Sequence, residues 1–120
     1  MPETRPITVV EMEEFLSATR KLMDDEERAE LVSYLAFHPA AGVVVPGSGG
    51  VRKLRWGLEG RGKRGGARVI YFYHDMEMPL YLLAAYAKNE REDLDQSQIK
   101  TIRKLIPILV EVNRKRRSAS

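Results

Sequence analysis

Between Gly49 and Arg68 the chain reads GGVRKLRWGLEGRGKRGGAR. Seven of these twenty residues are cations (Arg52, Lys53, Arg55, Arg61, Lys63, Arg64, Arg68), and only Glu59 opposes them. Side chains on a strand are held at fixed spacing, so a dense cationic run on and between strands fits a polyanion in a defined geometry. Nucleic acid is the commonest such partner. Cutting RNA without a metal would ask three things of such a surface. It needs a proton acceptor for the 2′-hydroxyl, cations for the developing phosphorane charge, and a proton donor for the leaving oxygen. The two histidines argue against a paired-histidine nuclease, because His38 stands at a helix end beside Pro39 and His74 at a strand end. The glycines among the cations match neither G-x-x-x-x-G-K-[ST] nor a strand–GxGxxG–helix context, so no nucleotide-binding loop is implied.

The elements that must position these residues follow from patterning. PITVV (Pro6–Val10) is a β-branched opening strand. Phe15, Ala18 and Leu22 then recur at helical spacing. Asp24 and Glu27 form a capping box for a second helix, with Ala29, Val32, Leu35 and Ala36 as its apolar stripe, and His38-Pro39 ends it. Val43–Val45 is a short extended piece within a connector. Val51–Trp56 alternates, with Arg52, Leu54 and Trp56 on one face and Lys53 and Arg55 on the other. Gly57–Gly66 is a flexible basic loop. ARVIYFYH (Ala67–His74) and PLYLLAAYAK (Pro79–Lys88) are apolar strands of a sheet covered at least partly on both faces. Tyr86 and Lys88 share a face at the end of the latter. Asp95 caps a last helix with Gln98 as its reciprocal partner and Leu94 stapled onto Ile99. Pro107 should kink or restart that helix. The order β-α-α-β-β-β-α makes one α+β domain over 1–120, with antiparallel central strands, helices on one side, and a basic C-terminal tail over 113–120.

Composition narrows the classes. The 120 residues contain no cysteine, which excludes disulfides and thiolate chemistry. No apolar run approaches the roughly 20 residues of a membrane span, and the N-terminus carries no signal pattern, so a cytoplasmic protein is expected. The charge is divided. Residues 1–38 carry nine acids and four bases, net −5, and residues 39–120 carry sixteen bases and eight acids, net +8.

GGVRKLRW, the Gly/Lys/Arg loop, GARVIYFY, YLLAAYAKNEREDL and a terminal helix together resemble the RelE/ParE superfamily of type II toxins, in its HigB-like branch. The likeness runs from about Pro39 to Leu109. It implies a RelE-like small microbial ribonuclease fold and cleavage of messenger RNA, mostly in the ribosomal A site, by metal-independent 2′-hydroxyl attack. It also implies a cognate helix-turn-helix antitoxin, operator DNA contacted only through that antitoxin, and no cofactor.

Carried over residue by residue, the resemblance makes Lys53, Arg55, Arg68 and Lys88 the catalytic candidates. Arg68 would stabilise transition-state charge, since a guanidinium fork suits a phosphate. Lys53, or else Arg55, would hold the phosphate or accept a proton, the latter only if neighbouring cations lower its pKa. The leaving-group acid stays open between Lys88, Arg91 and a tyrosine, because Asn89 replaces the arginine that relatives carry. Arg61, Lys63 and Arg64 would grip messenger or ribosomal RNA phosphates, with Arg52, Arg91 and Tyr86 as further RNA contacts. The remaining expectation from the same residues is a non-catalytic RNA- or DNA-binding module using the same face for affinity alone. The antitoxin would either plug the Lys53–Arg68 face directly or bind at a distance to the acidic hairpin of residues 11–38, the mode that suits a partner with a basic DNA-binding domain.

Overall fold

The computed structural model describes residues 5–57, 66–90 and 93–119. The loop cations Arg61, Lys63 and Arg64, and also Arg91, lie outside the described residues. In chain order the elements are β1 (Val9–Glu11), α1 (Glu13–Leu22), α2 (Asp25–Phe37), β2 (Val43–Val44), β3 (Val51–Trp56), β4 (Ala67–Phe72), β5 (Leu80–Ala87) and α3 (Gln96–Ala119). The α+β class is as expected, with the Val43–Val44 piece adding a strand. The sheet order is β1-β5-β4-β3-β2, antiparallel except for the β1–β5 pair.

Local chemistry explains the helix starts. Asp24 accepts from the Glu27 N–H at 2.8 Å and Glu27 accepts from the Asp24 N–H at 3.1 Å, the reciprocal cap that opens α2. Asp95 and Gln98 do the same for α3, at 2.8 and 3.0 Å. Glu13 and Glu14 in the first turn of α1, with Arg20 and Lys21 in its last, complement the helix dipole. In α2 the buried positions are Leu31 and Leu35, while Ala29 is exposed, so the expected stripe is rotated by part of a turn.

The helices do not share one side of the sheet, which corrects the expected arrangement. One cluster joins Phe15 and Leu22 of α1 and Leu31 and Leu35 of α2 to Leu54, Val69, Tyr71 and Leu82. A second, on the opposite face, joins Leu94, Ile106 and Leu109 around α3 to Val51, Ile70, Phe72, Tyr81 and Leu83. The cause is the alternation of β4 and β5, all of whose residues except Ala84 are buried. Two apolar faces need two covers.

Helix α3 passes through Pro107 without restarting. Pro107 is exposed while Ile106 and Leu109 are buried, and the carbonyl left without its N–H partner belongs to Arg103, also exposed. Residues 113–119, expected as a tail, are the end of this helix. There Asn113 donates to the Tyr81 hydroxyl at 2.9 Å, and Arg117 contacts Glu77 at 2.8 Å.

Between Ile70 and Tyr71 the β4–β5 register shifts, from Ile70↔Ala84 to Tyr71↔Leu82. Leu83 is the extra residue, a β-bulge, so Tyr81 and Tyr86 reach the same face although five residues apart.

Tyr71 closes the other face. Its hydroxyl accepts from the Gly42 N–H and donates to the Pro39 carbonyl, both at 2.8 Å, fastening the connector to β4. Burial raises the phenol above its ordinary value, against the lowering pull of the Gly42 N–H and Arg52, which keeps the donor proton in place. Tyr71→Phe would leave both backbone groups unsatisfied and should cost about 1–3 kcal/mol. The readout is a lower urea midpoint at unchanged slope.

Candidate nucleic-acid interface

Register assembles the cations. Arg55 lies directly across from Arg68, and Arg68 directly across from Tyr86, so one row runs over β3, β4 and β5. Lys53 pairs with Ile70 one step along, on the same face as this row and as the α3 cluster. Directly opposed residues have Cβ atoms about 4.5–5.5 Å apart, and like charges so placed oppose folding. Arg55 opposite Arg68 is therefore a placement that the sheet tolerates rather than one that stabilises it.

The four residues differ in freedom. Arg68 is 4% exposed, and Tyr86 is buried in the second cluster. Arg55 is exposed and Lys53 half-buried. Gly66 aims Arg68. Its φ is 60°, and a Cβ there would lie 2.2 Å from the Trp56 carbonyl oxygen, so only glycine lets β4 begin this close to β3. Lys88 follows β5, exposed, with its N–H bonded to the Gly66 carbonyl at 3.1 Å, which places it beyond Tyr86 beside the same turn.

One residue of the site escaped the sequence reading. Asp93 Oδ1 stands 3.2 Å from Lys53 Nζ and also accepts from the Leu94 N–H at 3.0 Å. Asp93, between β5 and α3, thus meets a side chain of β3. The acidic residue type beside a basic strand was visible, but its partner was not, because β3 and β5 are separated by a strand in the sheet. This pair is partly exposed, a setting in which ion pairs contribute about 0–1 kcal/mol, so an incoming phosphate can exchange with the carboxylate.

Arg52 is not part of this group. It pairs with Tyr71 and so points to the opposite face, where its guanidinium donates to the carbonyls of Ala40 at 3.2 Å and Gly42 at 2.8 Å. It also lies 5.9 Å from the Tyr73 ring centroid. The two histidines make local contacts, His38 with the Tyr34 ring at 4.7 Å and His74 with Asp75 at 3.7 Å. Trp56 packs under α2 beside Tyr34, as its alternation required. Near the end of α3, Arg114 is held by Glu111 at 2.9 and 3.1 Å.

Fold and site together define a small α+β protein that presents a row of cations at one end of a twisted sheet, with an acidic carboxylate at its margin. The family model for the RelE toxin of the RelE / RelB toxin-antitoxin system matches residues 45–118, and the chain belongs to that family. It is thus a toxin of a toxin-antitoxin system, and membership implies an antitoxin partner. The toxins of this family are generally ribonucleases. Among the described residues, no helix is long and apolar enough to cross a membrane.

Proposed function

We propose that this toxin is a HigB-like, ribosome-dependent messenger RNA endonuclease of the cytoplasm. The observation that carries the reading is the Arg55–Arg68 row with Lys53 and Asp93 beside it. In the reaction, the 2′-oxygen attacks the adjacent phosphorus and its proton passes to Asp93. The P–O5′ bond then breaks, leaving a 2′,3′-cyclic phosphate and a 5′-oxygen that takes a proton from Lys88. Arg68, fixed by burial, stabilises the phosphorane charge, and Lys53 and Arg55 hold the phosphate oxygens. The requirement for a 2′-hydroxyl makes RNA the substrate and DNA inert.

Messenger RNA in the ribosomal A site and ribosomal RNA are the partners of this face, with Arg61, Lys63 and Arg64 adding sequence-independent grip on phosphates. A helix-turn-helix antitoxin restrains the toxin and alone contacts operator DNA. Tyr86, directly across from Arg68 on the same face and buried in the second cluster, flanks Arg68 rather than offering a free ring for base stacking.

The test is cleavage of a message programmed on ribosomes, followed by mapping of the product ends. The expected result is cuts at A-site codons with cyclic phosphate and 5′-hydroxyl termini, in the presence of chelator. Tight, salt-dependent binding with the message intact would favour the non-catalytic module instead.

A further inference from the structure

On the far side of the molecule, a groove of about 570 Å³ lies between α2 and β3, lined by Glu26, Ala29, Glu30, Ser33, Tyr34 and Trp56. The five helical positions fall at i, i+3, i+4, i+7 and i+8, so they form one outward face of α2. Trp56 bounds it from the sheet, its ring centroid 5.6 Å from that of Tyr34 at an interplanar angle of 50°. β2 pairs only with Arg52 and Lys53, so among the described residues no strand covers the outer edge of β3 from Leu54 to Trp56.

The groove has a definite electrostatic character. Glu26 and Glu30 are exposed, and neither joins an ion pair among the described residues, although α2 holds Arg28, which pairs with Glu11 and Asp25 instead. Two like charges at i and i+4 oppose the helix by a few tenths of a kcal/mol. Among the described residues that line the groove there is no base to relieve them, in a chain whose net charge is +3. Beside them, two aromatic rings present negative π-faces, to which a cation is attracted within about 6 Å.

We propose that this groove is the seat of an arginine side chain of the protein antitoxin. A guanidinium stacks on the Trp56 and Tyr34 rings while its N–H groups reach Glu26 and Glu30, a match that favours arginine over lysine. Docking there leaves the Arg55–Arg68 row uncovered, because Leu54 and Trp56 face the α1–α2 cluster while Lys53 and Arg55 face the other way. The antitoxin would then restrain the toxin without filling its cationic face. The inference rests on membership of the toxin-antitoxin family, not on the nuclease reading, and its test involves neither RNA nor ribosomes.

Trp56 is the chain's one tryptophan, which gives a built-in reporter. The full-length protein is titrated with Nα-acetyl-arginine amide and, as its neutral isostere, Nα-acetyl-citrulline amide, following the Trp56 indole N–H by NMR. The arginine compound should shift that resonance saturably and the citrulline compound should not, with the response suppressed by salt and by Glu26→Gln/Glu30→Gln. In parallel, the antitoxin encoded by the adjoining gene should bind the double variant about tenfold or more weakly than wild type. Both carboxylates are exposed, so the variant should melt as wild type does. Equal shifts from the two amides, or undiminished antitoxin binding by the double variant, would overturn the proposal.

Discussion

Arg68→Met should fold normally and cut ribosome-bound message about 10²–10³-fold more slowly than wild type, the usual loss when one charge-stabilising group is removed. Methionine is the informative replacement because Arg68 is buried. Methionine fills most of the space that the arginine stem occupies, whereas alanine adds a cavity. Arg68→Lys keeps the charge but loses the fork, and should recover only part of the rate. A well-folded Arg68→Met protein that cleaves at the wild-type rate would remove Arg68 from the mechanism.

Asp93→Asn tests the carboxylate that the fold delivers to Lys53. The amide oxygen can still accept the Leu94 N–H, so the start of α3 is preserved while the proton acceptor is lost. The expected fall in rate is about 10²–10⁴. Stability should barely change, since a partly exposed pair contributes about 0–1 kcal/mol. The opposite outcome has its own meaning. If Asp93 merely occupies Lys53 and competes with phosphate, the asparagine variant binds RNA more tightly and cuts no more slowly.

Much of the framework was legible in residue order. The reciprocal caps at Asp24/Glu27 and Asp95/Gln98 depend on residues three apart, and both are as read. Val51–Trp56 is a strand of those bounds because its alternation is local, and its two faces separate as alternation demands. What was hidden depends on residues far apart in the chain. The side of the sheet chosen by α3 is not encoded in its own apolar stripe, which fits either face. It is settled by the burial of alternate residues on β4 and β5. The same distance concealed the Lys53–Asp93 contact. Alternation already put Arg52 on the face opposite Lys53 and Arg55; what it did not show is the capture of its guanidinium by the Gly42 and Ala40 carbonyls on that side. At Pro107 the helix runs on rather than restarting, since an exposed helix face can leave one carbonyl to water.

The extra residue at Leu83 gives β5 two phases. In the first half of the strand, even-numbered residues face α1 and α2, and in the second half odd-numbered residues do. A reader keeping strict step from Tyr81 would send Tyr86 and Lys88 to the side opposite Arg68. Bulges also sharpen local twist, and this one begins at Ile70, one same-face step along β4 from the Arg68–Tyr86 pair of the cationic row. One unpaired backbone step thus divides a continuous surface into a roofed half for folding and an open half for contact. A gain or loss of a single residue inside β5 would trade the two halves' occupants.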